Sequence, residues 1–409
     1  MDAATTATML QVLRDPTGIP SHPLIFQVLL VFTWIPHILF VNLTLGSALM
    51  ALYAFMRREE PNWQRLSEAM SKVAKVGVSL LVVLGVAPLL FTQTIYDPQW
   101  YASNVLSAAW VIGFIFTLTL GYLAWFVFDL KNHGEHAPSW AGWLGAFGLA
   151  MFLLDGFIMH VLSYQGLLPD QWIDWYVPQG QVDMSGTGLH AWQLPRFGFY
   201  LAMSATLFGI FLMAYGDYFR SRTDRPADYL AFARRMGARI AVVGAVAQVV
   251  LLLGWLLDVP ARLGMWAHPM SWLLLAFVGV LAGAAWLARK GEAGAGYRLM
   301  ALGVGMAALV AIFREALRMA YLQPFGYSVL DYKVLWDMPS FVMFLLTLVG
   351  VGGLMGGFII TAAYKSGRVQ GMYQTDATLR RLATGSLVST IVWVAAFIGT
   401  GIWIWLRNN

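Results

Sequence analysis

The sequence predicts an all-α, polytopic transmembrane helical bundle of about ten spans. Composition is the first reason: 59% of the 409 residues are hydrophobic and 11% charged, with a mean hydropathy of +0.65. Soluble domains carry about 25% charged residues, and no soluble core of this size needs so much apolar surface, so a soluble enzyme is excluded. The second reason is that a spanning helix needs ~20 mostly apolar residues, and ten stretches supply them. They run roughly over 25–56, 74–96, 104–128, 140–166, 194–218, 236–257, 271–288, 298–322, 340–364 and 382–406. The third is a one-sided distribution of Lys and Arg between alternate loops.

Taken in order, residues 1–24 form a mixed, polar segment before the first span, with no short apolar region of the kind a cleavable signal needs. The first span is long enough to tilt or project beyond the bilayer. It carries Pro36, which is expected to kink it or interrupt its hydrogen bonding. The loops after spans 1, 3, 5, 7 and 9 are basic, with Arg57, Arg58, Lys131, Arg220, Arg222, Arg225, Arg289, Lys290, Lys365 and Arg368 among others. The opposite loops are poor in basic residues and rich in Asp and Trp, such as Asp97, Trp100, Asp170, Trp172, Trp175, Asp258, Asp331 and Trp336. The positive-inside rule therefore expects both termini outside a bacterial inner membrane and the basic loops in the cytoplasm. The +5 net charge reflects this orientation and not nucleic-acid binding. With no linker and no short repeat, residues 1–409 read as a single integral-membrane domain.

There is no cysteine, which removes disulfides, Cys-ligated zinc, iron–sulfur clusters and covalently attached c-type haem. A metal or redox cofactor would have to be held by His, Met, carboxylate or backbone groups. Of the acids, only Asp155 and Glu315 fall well inside spans, and only Arg314 and Arg318 are comparably placed bases. Each intramembrane charge costs at least ~2.5 kcal/mol, so such residues mark a partnered or functional site. Arg314 and Arg318 stand at i and i+4, on one helix face. Two guanidiniums there suit paired anionic groups such as haem propionates. They suit an internal Arg–Glu ion pair with Glu315 equally well.

His133 and His136 sit beside Glu135 in a basic-side loop and are expected to be solvated. The other histidines, His22, His37, His160, His190 and His268, fall on the opposite side. His37 and His160 lie within apolar spans; His190 and His268 lie near span starts. Imidazole is the usual axial ligand of non-covalent haem, whereas a single membrane histidine is more commonly a hydrogen-bonded packing residue. Met265 and Met270 flank His268 and could also ligate haem, although with 20 methionines in the chain core filling is the plain reading.

The run His37-Ile38-Leu39-Phe40-Val41-Asn42-Leu43-Thr44-Leu45-Gly46 resembles the H-F-L-F-V-P-L-T-L-G run in the first helix of cytochrome bd oxidase subunit I. Gly77-Val78-Ser79 with Leu84-Gly85-Val86-Ala87, Phe232-Ala233-Arg234-Arg235 and Gln323-Pro324-Phe325 are similar to later family motifs in the same order. The resemblance covers about residues 25–365 as a nine-helix core and leaves 366–409 as an additional span. It implies that His37 is a haem ligand near the outer face. The family's helix-5 His maps near His190, about one turn away. Its Met ligand at the start of helix 7 maps to Met265, His268 or Met270. Its helix-8 Glu maps to Glu315, again about one turn away, with Arg314 and Arg318 near the family's Arg. His160 has no counterpart and is either an extra ligand or a packing residue.

The departures from the family are specific. Two helix-3 glutamates associated with proton delivery align with Gly113 and Gly121, and the long quinol-binding loop is reduced to about 13 residues near 258–270. The resemblance thus implies a divergent bd-like protein with one to three b-type haems, haem d and a quinone being further candidates. Its implied partners are a second bd-like membrane subunit or a homologous protomer, and a separate c-type cytochrome on the outer side. The expected function is respiratory electron transfer between a quinol or c-type cytochrome and a redox partner in a larger complex. The alternatives are a terminal oxidase reducing O2, and a non-haem transporter or structural anchor using Asp155 and the Arg–Glu cluster.

Overall fold

The computed structural model describes residues 1–134, 137–289, 291 and 294–408. Glu135, His136 and Lys290 therefore lie outside the described residues. Ten described helices are long and apolar enough to cross a membrane. They are α1 (Pro23–Phe55), α2 (Pro61–Ile95), α3 (Ala108–Lys131), α4 (Ser139–Gln165), α5 (Leu194–Tyr218), α6 (Ala227–Asp258), α7 (Pro269–Ala288), α8 (Ala295–Leu322), α9 (Met338–Gly367) and α10 (Ala377–Asn408). Among the described residues the only extended pairing is one parallel bridge, Ile19 to Val334. The all-α membrane fold expected from hydropathy is the fold observed.

Start signals lie where the chemistry wants them. Pro23, Pro61 and Pro269 open helices, where a missing N–H costs nothing. α1 continues unbroken through Pro36, which forfeits one ladder hydrogen bond without ending the helix. Two helices start well before their apolar windows: α2 begins at Pro61 and α6 at Ala227. The extra turns are helical because their polar face has partners. Ser67 Oγ donates to the Ala51 carbonyl (2.9 Å), Asn132 Nδ2 to Ser67 Oγ (2.8 Å) and Ser71 Oγ to Asp129 (2.8 Å), and Lys75 pairs with the same carboxylate.

The contact pattern divides the chain into two compact units. The first comprises Met1–Pro16, Pro23–Asp217 and Asp228–Tyr332. Within it α1 packs along α2, α3 along α4, and α8 against both α1 and α7. Its largest buried cluster draws Phe199, Met203 and Ile210 of α5 together with Leu252 and Trp255 of α6, Leu274 of α7 and Phe313 of α8. The α5–α6 crossing depends on small residues: a Cβ on Gly209 would stand 2.3 Å from the Ala241 nitrogen, and one on Gly237 2.6 Å from the Gly209 carbonyl. Only glycine lets these backbones approach so closely.

The second unit comprises Thr17–His22, Tyr218–Ala227 and Lys333–Asn409, so α9 groups with α10. Ile19 donates to the Lys333 carbonyl and accepts from Leu335, both at 2.9 Å. Arg222 donates to the Gly367 carbonyl (3.0 Å). α9 contains a π-helical stretch over Leu346–Gly352, and Trp393 Nε1 of α10 donates to Thr347 Oγ1 within it (2.6 Å). In the loop between them, the hydrogen bond from Lys365 draws the Asp376 carboxyl down to about 2.

Candidate functional site

A cavity of about 130 Å3 opens at the Asp- and Trp-rich ends of α1, α2, α4 and α8, beside the short helix Asp97–Leu106. His37 and Trp34 reach it from α1, Gly85 from α2, Ser163 from α4, and Arg314 and Arg318 from α8. The cavity thus unites His37 with both intramembrane arginines.

The state of the His37 ring follows from its partner. Nδ1 lies 2.9 Å from the Leu81 carbonyl oxygen. A carbonyl can only accept, so Nδ1 carries the proton and Nε2 keeps its lone pair. A backbone carbonyl holding the far nitrogen is the usual way a metal-ligating imidazole is oriented. Gly85 makes room for the ring itself against α2, since a Cβ there would stand 2.9 Å from His37 Cε1 and 3.0 Å from Nδ1.

The Arg–Glu run divides in two. Arg318 pairs with Glu315 at 3.0 Å. Glu315 also accepts from Gln27 (3.0 Å) and from the Tyr96 hydroxyl, so both its oxygens are engaged. Arg314 makes no hydrogen bond or ion pair among the described residues; its guanidinium lies 5.1 Å from the Trp34 ring centroid at the cavity wall. Both arginines line the cavity, but only Arg318 is held in an ion pair.

The remaining sequence-derived candidates stand elsewhere. His160 is buried between Phe157 and Phe197, and its Nε2 accepts from the Gln193 amide (3.1 Å). That lone pair is therefore occupied by the protein itself. His190 is half-buried and stacks on Trp175 with rings 5.2 Å apart. His268 caps α7, its Nδ1 accepting from the Met270 amide (3.2 Å). Met265 is fully packed in the core cluster and Met270 lies against it. None of these five lines the His37 cavity. His133 is exposed. Asp155 accepts from Thr117 of α3 and does not line the cavity, so it shares no pocket with the arginines. Of the two α3 glycines, Gly121 packs onto α4, where a Cβ would meet Met151 at 2.8 Å, while Gly113 faces open space.

No family model matches this chain, and no curated protein does. Among solved structures, the bd oxidase from Geobacillus thermodenitrificans is similar over 92% of this chain and 99% of that chain, with a TM-score of 0.49 and 13% sequence identity.

For a b-type haem, the donor set at the cavity is suitable. One imidazole presents a free, oriented lone pair, a glycine leaves room beside it, and two arginines stand on the same cavity. Tyrosines extend the polar wall outward. Tyr96 stacks on Tyr327 with centroids 6.0 Å apart, Tyr327 meets the Tyr332 hydroxyl at 2.9 Å, and Tyr332 donates to Asp97. Burial raises the Asp97 carboxyl above its ordinary value despite that hydrogen bond, and burial likewise raises both the Tyr327 and Tyr332 hydroxyls.

Sequence reasoning missed Arg196. It is 4% exposed, two residues into α5, and reads in sequence as an interfacial arginine. Its Nη2 donates to Ser163 Oγ (2.9 Å), a cavity-lining residue. The signal available was Tyr200 four residues on, which puts both polar tips on one face of α5.

Proposed function

We propose that this chain is a membrane haem protein that passes electrons near the Asp- and Trp-rich face of the bilayer, as part of a larger respiratory assembly. The observation that carries this reading is His37: its Nδ1 is fixed by the Leu81 carbonyl and its Nε2 lone pair is free beside a cavity shared with Arg314 and Arg318. His37 would coordinate the iron, the Leu81 carbonyl would fix its tautomer and strengthen its basicity, and the two guanidiniums would bind propionates. A bound haem supplies one-electron redox chemistry that no side chain here offers. Lys/Arg asymmetry supports placing the site on the outer side, where a quinol or a separate c-type cytochrome could exchange electrons with it. A second bd-like subunit or a homologous protomer would complete the assembly.

Electron transfer is preferred to oxygen reduction because the proton path is poor. Reducing O2 to water consumes protons, which need titratable groups or ordered water inside a bilayer. α3 offers Gly113 and Gly121 along its length and no acid before Asp129, which is already paired with Lys75. The test is a reduced-minus-oxidised spectrum with haem quantification on the purified full-length protein. b-Type bands are expected, and His37→Ala should lose one haem per chain. A wild-type protein without haem absorbance, or an unchanged content in His37→Ala, overturns the reading. Sustained O2 uptake with an artificial reductant at ~10 per second or more would replace electron transfer with terminal oxidation.

A further inference from the structure

The acids buried within the described spans are Asp129, Asp155, Asp217 and Glu315. Lys75 pairs with Asp129, Arg234 with Asp217 and Arg318 with Glu315. Asp155 has no ion pair among the described residues. It lies in α4 at 5% exposure, its Oδ1 meets Thr117 Oγ1 of α3, and its Oδ2 is buried without a hydrogen bond.

An ionised carboxylate fits these surroundings badly. It would hold a full charge in the membrane interior with one donor on one oxygen and none on the other. An acid buried without a counter-charge keeps its proton instead. The Thr117 hydroxyl points the same way. Its Oγ1 lies 3.1 Å from both the Gly113 and the Phe114 carbonyl oxygens, as well as against Asp155 Oδ1. Were Asp155 ionised, all three of these neighbours would be acceptors, and a hydroxyl has a single proton to give. With a proton on Oδ1 the same contact runs the other way: Asp155 donates to Thr117 Oγ1, and Thr117 donates to a carbonyl of its own helix. Oδ2 is then the carbonyl oxygen of a neutral acid, which is far less costly to leave unpaired than an ion.

We infer that Asp155 is a proton-binding site in the membrane interior, carrying one exchangeable proton on the oxygen that faces Thr117. The other buried acids are unsuited to this, because protonating any of them would strand the cation it holds. Asp155 gains or loses H+ with no ion pair to break. It stands one helical turn before Met159, which lines the His37 cavity, so the site is beside that cavity without being part of it. It is one site and not a relay, since its recorded partner, Thr117, does not titrate. Nothing in it depends on what the cavity holds, and it stands or falls separately from the haem reading.

The test is infrared spectroscopy of the purified full-length protein, in a detergent without ester groups, against Asp155→Asn at neutral pH. The variant keeps the shape of the acid and places an N–H donor where the O–H stood. The wild-type-minus-variant difference should contain the C=O stretch of a protonated carboxyl, shifted in D2O, with no matching loss of carboxylate bands. Thr117→Val leaves Asp155 in place and removes its partner, so the same C=O band should move to higher frequency. That variant decides the matter if the asparagine one does not fold. Carboxylate bands in the difference spectrum would show Asp155 ionised and overturn the inference. A protonated-acid band that ignores D2O would show a proton that does not exchange, and one that Thr117→Val leaves unmoved would show a proton placed elsewhere; either also overturns it.

Discussion

The two ends of the first eight spans treat buried charge in opposite ways. At the basic-loop ends each buried acid is matched. Asp129 has Lys75 and Ser71, and Asp217 has Arg234 and the Gly296 amide at 2.8 Å. At the other ends Arg196, Arg314 and Arg318 lie within the spans with the acids Glu315 and Asp155, and among the described residues only Arg318 and Glu315 pair with each other, Asp155 being hydrogen-bonded to Thr117. Matched pairs fix helices to one another and need nothing further. An excess of cations in a low-dielectric interior is unfavourable on its own and is sustained most simply by a ligand of opposite charge. Paired and unpaired charge are thus separated along the same helices: α5 carries Arg196 near its start and Asp217 near its end.

The largest way to break this contrast is at the matched end. Asp217→Ala would remove the buried carboxylate that accepts from both Arg234 and the Gly296 amide, at a cost of about 3–5 kcal/mol; denaturant unfolding in micelles measures it, and a loss under ~1 kcal/mol would mean the pair is not structural. Tyr96→Phe sharpens the contrast at Glu315, the intramembrane acid of the other end that has a cationic partner. Removing a donor from Glu315 should cost about 1.5–3 kcal/mol in the same assay. Arg314→Met comes next and should behave unlike Asp217→Ala. With no partner to abandon, haem-free protein should change by less than ~1 kcal/mol or become more stable, while haem retention through purification falls. A stability loss comparable to Asp217→Ala would show that Arg314 is structural.

The smallest effect concerns pH and Asp97, outside the spans. Burial raises its folded-state pKa above the unfolded value of about 3.9. Its contribution to stability is therefore full below about pH 4 and is lost as pH rises through the folded value. The difference in unfolding midpoint between wild type and Asp97→Asn should move in the variant's favour over that window, and a constant difference would refute it.

Hydropathy made all ten spans legible, because nothing but a bilayer rewards such windows. It hid the first turns of α2 and α6, where Arg65, Glu68 and Lys72, or Arg234 and Arg235, lower the mean hydropathy although the backbone stays helical. At the site, cost drew attention to His37, Arg314, Glu315 and Arg318, since each is conspicuous inside an apolar run. Arg196, Trp255 and Tyr321 were not, because Arg, Trp and Tyr near span ends look like ordinary interfacial residues. That Arg196 Nε and Nη1 and Trp255 Nε1 are buried without a hydrogen bond is a property of three dimensions, absent from any window of sequence. The same holds for His160 and His268, whose nitrogens are committed to amides that only the fold supplies.

The segment before α1 has a bearing on how the protein is made. Arg14 lies 4.3 Å over the Tyr327 ring and 4.6 Å over Tyr332, donates to the Ser328 carbonyl (2.8 Å), and is followed by Asp15, whose amide donates to Asp97 (2.7 Å). The Ser328 contact spans 314 positions of sequence. At ribosomal speeds of 5–20 residues per second, on the order of 15–60 s pass between synthesis of Arg14 and of its aromatic clamp. The strap before α1 is thus translated well before the residues it docks on, so nascent chains arrested before residue 327 should be cut within it by proteases that leave the finished protein intact.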